Sequence, residues 1–161
     1  MGGERVHGVL GSPIGPLTTV EEDGRLVTLF LRPPGSSADL GGRDDARFAA
    51  LAQQLDEYFA GTRTSFDLPL RASGNAFQLA VWQLLAEIPY GETRSYGDIA
   101  RGLGDRTLAQ AVGTACGRNP LPLVVPCHRV VGSDGALVGF GGGLERKRFL
   151  LDLEQREERL F

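Results

Sequence analysis

Apolar and turn-forming residues interleave through the first stretch of the chain, and apolar residues then recur at helical spacing. Residues 5–31 carry short apolar runs separated by Ser12-Pro-Ile-Gly-Pro16 and Glu21-Glu-Asp-Gly24. That pattern predicts a small antiparallel meander with strands near 5–10, 17–20 and 25–31. A Pro/Gly/Ser-rich loop follows from Pro33 to Gly42. From Arg43 to Ala60, Phe48, Leu51, Leu55 and Tyr58/Phe59 fall on one face of an amphipathic helix, with Gly61 as its stop. Phe66 to Leu70 reads as an extended return, and Arg71-Ala-Ser-Gly74 as a linker. These residues, 1–73, form an α/β scaffold domain, a small antiparallel sheet plus a helix.

Residues 74–161 read as a second, mainly helical domain. Asn75 and Gln78 make a capping-box start, and Phe77, Val81, Leu84, Leu85 and Ile88 line one face until Pro89. After the turn-rich Tyr90 to Gly97, Ser95 caps a short helix through about Arg101, and Gly102-Leu-Gly104 turns the chain. Thr107 then caps a second helix through about Cys116. Two short helices around a glycine turn outline a helix-turn-helix. On the second helix, Leu108, Ala111, Val112 and Ala115 share the expected inward face. Gln110, Gly113, Thr114 and Gly117 share the other, which is nearly bare of long side chains. Such a face suits close approach to something narrow such as a minor groove, or equally tight packing against another helix. The last helix spans about Leu144 to Glu158. Glu154 falls between Leu150 and Leu151 on its wheel; a carboxylate placed inward there needs a partner, for which His128 is the candidate, and an ordinary surface glutamate is the alternative reading.

The chemistry concentrates in Leu121-Pro-Leu-Val-Val-Pro-Cys-His-Arg-Val-Val131. Pro126 cannot donate to a ladder, so it is expected to end a buried strand and hand Cys127 to a turn beside His128. Asn119-Pro120 stands upstream, and the glycine-rich Gly139 to Gly143 loop lies downstream. A rigid segment, a thiol and a flexible loop together read as a site. The loop is not a phosphate loop, because Leu144 replaces the third glycine and no GK[ST] follows.

Composition narrows the setting. The formal net charge is −3, yet residues 1–73 hold seven arginines against ten carboxylates, while residues 90–148 hold eight basic residues against five acidic ones. The second half therefore carries a local basic excess able to meet phosphates. No run approaches a membrane span, and the N-terminus lacks signal-peptide character, which predicts a cytoplasmic protein. With only Cys116, Cys127, His7 and His128 available, no zinc-ligand spacing exists and no disulfide is expected. No metal and no cofactor are predicted.

Pro126-Cys-His-Arg-Val130, together with Asn119-Pro120, Arg94-Ser-Tyr-Gly97 and the Gly139–Gly143 loop, resembles the O6-alkylguanine-DNA alkyltransferases, also called methylated-DNA–protein-cysteine methyltransferases. The likeness is strongest from about Phe77 to Glu154. It implies minor-groove binding of duplex DNA, flipping of O6-alkylguanine and irreversible transfer of the alkyl group to Cys127 by a monomer. It also implies that His128 acts on Cys127 through a water, oriented by Glu154, with Asn119 bracing the turn and Tyr96 donating to guanine N3. Val130, Phe140 and Gly141 would line the base pocket. Arg94, Ser95, Gln110, Gly113, Thr114 and Arg118 would face DNA. Two positions depart from the family pattern: Gln110 stands where an arginine usually fills the gap left by the flipped base, and Phe140 where the loop usually has tyrosine. O4-alkylthymine as a substrate and cooperative loading on DNA stay open. Two other readings remain at this point, a helix-turn-helix lesion sensor or regulator without chemistry, and a Cys-His-Glu hydrolase that turns over.

Overall fold

The structure, a computed structural model, describes residues 4–36, 38–136, 140 and 142–155. The chain divides into two compact units, Met1–Ser73 and Gly74–Phe161. In the first, β1 (Arg5–Leu10), β2 (Leu17–Glu22) and β3 (Arg25–Phe30) form the expected antiparallel meander. Asp23 and Gly24, both at positive φ, close the β2–β3 hairpin as a two-residue turn requires.

The sheet is mixed rather than purely antiparallel. A fourth strand, β4 (Gly42–Arg43), runs parallel to β1, giving the order β3-β2-β1-β4. The loop after β3 brings the chain back along β1 through Gly41, where a Cβ would lie 1.9 Å from the Arg5 carbonyl oxygen. Only glycine passes there. Because Arg43 belongs to this strand, the helix begins later than its apolar spacing suggests. Asp45–Phe48 form a 3-10 turn, and α1 covers Ala49–Phe59. Phe48, Leu51, Leu55 and Tyr58 are buried, and Leu17, Val20 and Leu29 of the sheet are buried in the same unit.

In the second unit, α2 (Ala76–Ala86) starts at a complete capping box between Asn75 and Gln78. Trp82 is buried and its indole N–H donates to the Ala115 carbonyl at 2.9 Å, tying α2 to the second helix of the helix-turn-helix. Ser95 caps α3 (Tyr96–Gly102) with Asp98 as reciprocal partner. The cap before α4 (Ala109–Gly117) is Asp105, not Thr107. The Asp105 carboxylate accepts from both the N–H and the hydroxyl of Thr107, and a 3-10 turn, Arg106–Leu108, precedes the helix. The inward face of α4 is also rotated from expectation. Val112, Ala115 and Cys116 are buried, and Ala111 is exposed. A methyl group gains little from burial, so the larger apolar thiol takes the interior position.

The apolar run 121–125 is not a strand. It folds into a compact turn with Leu123 at φ 75° and the Val125 N–H bonded to the Leu121 carbonyl at 2.8 Å. Asn119 closes it, donating to the Val125 carbonyl and accepting from the Leu121 N–H, each at 2.9 Å. With Pro120, Pro122 and Pro126 all lacking N–H groups, this side-chain closure replaces a ladder. Pairing appears just after it. β5 (Arg94–Ser95) runs parallel to β6 (Val130–Val131). The final helix, α5, covers Leu144–Glu154, and its expected extension to Glu158 lies outside the described residues.

Candidate active site

Cys127, His128 and Arg129 form one 3-10 turn directly after Pro126. The Cys127 N–H donates to the Val125 carbonyl at 2.8 Å, so the turn that Asn119 closes also fixes the thiol's backbone. Cys127 is buried. Burial pushes its thiol up, while a hydrogen bond with Asn119 and the charge of Lys147 pull it back.

Behind it lies a buried ionic cluster. His128 and Glu154 meet at 2.6 Å through Nε2 and Oε2. Arg129 grips the same carboxylate with Nε at 2.7 Å and Nη2 at 3.1 Å, and its Nη1 donates to the Ile88 carbonyl at 2.7 Å. Burial alone would raise the Glu154 carboxyl, but hydrogen bonds from His128 and Arg129 outweigh it and hold the group at about 2. Burial lowers the His128 pKa against the opposing pull of Glu154. A neutral imidazole facing an ionised carboxylate must carry its proton on Nε2, because the carboxylate only accepts. Nδ1 is then a bare lone pair, buried and without a hydrogen-bond partner in the structure. Such an arrangement can serve as a base with its orienter already in place.

Tyr96, at the start of α3, is half-buried, with burial and the two nearby thiols pushing its phenol up to about 12. It keeps its proton at neutral pH and remains a donor. The ring lies against α4, where a Cβ at Gly113 would sit 3.7 Å from it. Lys147 of α5 is fully buried, and its Nζ lies 5.9 Å from the Tyr96 ring centroid. Gln110, Thr114 and Arg118 are exposed on α4 and its C-terminal cap. The Ser95 hydroxyl is used as a helix cap, and Arg94 donates to the Thr93 carbonyl and to Glu92. Val130 is fully buried opposite Arg94 in the β5–β6 pair. Phe140 is half-buried and accepts the Gly143 N–H at 2.9 Å, while Gly139 and Gly141 lie outside the described residues.

The family model for the 6-O-methylguanine DNA methyltransferase DNA binding domain matches residues 76–156, and that for the ribonuclease-like domain of the same methyltransferases matches residues 6–72. The chain belongs to this family. A methylated-DNA–protein-cysteine methyltransferase of Mycolicibacterium paratuberculosis is 49% identical over 147 residues, spanning 90% of this chain and 89% of the relative. A constitutive counterpart from Bacillus subtilis is 44% identical over 151 residues, spanning 89% and 92%. The crystal structure of Mycobacterium tuberculosis OGT in complex with DNA superposes with a TM-score of 0.87 at 45% identity, covering 94% of this chain and 93% of that one.

Within this methyltransferase family member, Cys127, His128, Glu154, Asn119 and Tyr96 all converge on one region of the C-terminal unit. Sequence reasoning missed two members of the cluster, Arg129 and Lys147. Arg129 directly follows His128, and Lys147 stands seven residues before Glu154 on the same helix face, separated by buried Leu150 and Leu151. That seven-residue spacing was the available signal, since a buried anion and a buried cation sharing one face call for explanation.

Proposed function

We propose that this protein repairs DNA by moving the alkyl group of O6-alkylguanine onto Cys127 in one irreversible turnover. The observation that carries the reading is the bare, neutral His128 imidazole, oriented by an ionised Glu154, beside a buried thiol. Displacement at an sp³ carbon needs a soft nucleophile, and a buried thiol needs a base. The Cys127 proton passes to His128 Nδ1 through a bridging water. The S–C bond forms as the C–O6 bond breaks, and the departing guanine takes up one proton, with the Tyr96 hydroxyl donating to its N3. The thioether product does not hydrolyse, so each molecule acts once. The target base leaves the duplex stack first, because its O6 substituent is not open to in-line attack there. The exposed face of α4, with Gln110, Thr114 and Arg118 around the small Gly113 and Gly117, meets the minor groove. The protein acts as a monomer in the cytoplasm, with residues 74–161 carrying the chemistry and residues 1–73 serving as scaffold.

The test is the mass of the intact protein and of its peptides after incubation with a duplex containing O6-methylguanine. One methylene gained on the Cys127 peptide, at one lesion repaired per molecule, is the expected result. Cys127→Ala should bind the duplex without repairing it, and Cys116→Ser should still transfer. Binding to completion with no change in mass, or repair of many lesions per molecule, would overturn the reading.

A further inference from the structure

The inward face of α5 carries two buried charges of opposite sign. Glu154, near the C-terminal end, meets the basic groups His128 and Arg129. Lys147, seven residues earlier and about two helical turns away, lies at the other end of the buried stripe Lys147, Leu150, Leu151, Glu154. Lys147 is fully buried, which lysine rarely is. Among the described residues the titratable groups that act on it are Tyr96 from α3, Cys116 from α4, and Cys127 and His128 from the turn.

We infer that Lys147 is a positioning residue whose ammonium stabilises the thiolate of Cys127 as it forms. In the mechanism proposed above, His128 becomes cationic only as it takes the proton, and a bridging water separates it from the sulfur; Lys147 adds a positive charge that is present before the proton moves. Glu154 cannot supply one, being an anion already engaged by His128 and Arg129. A fixed ammonium in a water-poor site interacts far more strongly with a nascent anion than it would in solvent. Burial, the largest influence, lowers the Lys147 pKa and raises both thiols, and the mutual attraction of ammonium and thiolate works against it at each group. The Tyr96 ring beneath Nζ presents its electron-rich face and helps hold the cation in place. Cys116 is buried too, and burial pushes its thiol up to about 12, so it stays neutral near pH 8 and does not compete for the ammonium.

This inference rests on Cys127 being the alkyl acceptor, but its test reads the thiol without DNA. The measurement is the pH dependence of Cys127 carboxamidomethylation by iodoacetamide, followed by peptide mass. In that reaction the Cys127 S–C bond forms as iodide leaves. Lys147→Met, similar in volume and uncharged, should displace the profile to higher pH and slow labelling at pH 8 by about tenfold or more, as loss of one unit of thiolate stabilisation requires. Lys147→Arg should restore the wild-type profile. A folded Lys147→Met protein with the wild-type profile would overturn the inference. Should that variant not fold, the reciprocal effect serves: in otherwise intact protein, Cys127→Ala should move the NMR titration of the Lys147 Nζ to lower pH, and an unchanged titration would also overturn it. If instead the labelling profile shifts as expected while no methyl group moves from DNA to wild-type Cys127, the electrostatic role stands and the alkyltransferase reading fails.

Discussion

In the N-terminal unit the ion pairs among the described residues, Arg5–Glu22, Arg71–Glu22, Arg71–Asp23, Arg47–Glu4, Arg47–Glu21, Arg43–Asp45 and Arg63–Glu57, all leave at least one partner about a third exposed or more. Among the described residues its buried polar side chains are Thr18 and Thr19. The C-terminal unit instead buries His128, Arg129, Lys147 and Glu154. Taking ions out of water costs several kcal/mol each even after relaxation, and apolar residues of the same volume usually fill a core as well or better. A cluster that bears that cost next to a thiol fits the relay proposed above. Surface pairs cost little and contribute little.

Breaking the buried cluster at its centre should give the largest effect. Glu154→Gln removes the orienter of His128 and leaves Arg129 without its carboxylate. Loss of acid–base assistance is expected to slow transfer by about 10²–10⁴-fold. Leaving a buried cation unpaired should lower stability by about 3–5 kcal/mol. The same cluster sets a pH signature. The Glu154 carboxyl is depressed on folding, so its stabilisation is present above the unfolded value of 4.5 and is lost as pH falls through about 2. The His128 imidazole is depressed too, so its neutral form favours the folded state above 6.5, and that contribution fades as pH falls through its folded value. Thermal melts of the wild type should therefore weaken on acidification below pH 6.5. Glu154→Gln should melt lower at neutral pH and show a flatter limb between pH 4.5 and 2. A well-folded Glu154→Gln protein with full transfer would remove Glu154 from the relay.

The same contrast explains what was legible in the sequence. Local signals carried through in part: two of the three expected caps, Asn75 and Ser95, are used while Asp105 takes the place of Thr107, and the meander and the buried face of α1 follow their apolar spacing although the helix starts later. The pairing of Glu154 with His128 was readable because one carboxylate on an apolar stripe demands a partner. The run 121–125 misled because burial looks the same in a strand and in a turn. What decided its shape was the Asn119 side chain standing in for a neighbouring strand. Arg129 and Lys147 stayed hidden because charged residues belong at the surface by default, and only the three-dimensional cluster shows why these two do not.

Exposure does not always mean silence, and Gln110 tests that within the C-terminal unit. Its side chain is exposed on α4, and its carbonyl accepts the Thr114 hydroxyl at 3.3 Å. If that face enters DNA, glutamine can bond an orphaned base but lacks the cation and planar fork with which arginine stacks and meets phosphates. Unstacking a base costs a few kcal/mol, so a weaker plug leaves the flipped state less populated. Recovering 1–2 kcal/mol would raise the rate by about one order of magnitude when flipping precedes chemistry. Gln110→Arg should therefore speed repair of duplex O6-methylguanine about tenfold and leave reaction with the free base unchanged. Single-turnover rates on the two substrates decide it, and an equal change on both would show that Gln110 does not fill the stack.

The smallest effect is expected at the N-terminal surface, and it is the control on the whole contrast. Arg47 bridges Glu4 at 2.8 Å and Glu21 at 3.3 Å, with its own side chain 39% exposed. Solvent screens both pairs, and holding a long side chain in one geometry offsets much of the attraction. Arg47→Ala should cost less than about 1 kcal/mol, the loss should shrink further in high salt, and the transfer rate should not move. Urea melts at low and high salt, run beside single-turnover kinetics, measure both quantities. A destabilisation as large as that of Glu154→Gln would mean that burial is not what separates the two sets of charges. A slower transfer rate at unchanged stability would mean that the N-terminal unit is more than a scaffold, since no residue of the ionic cluster described around Cys127 comes from it.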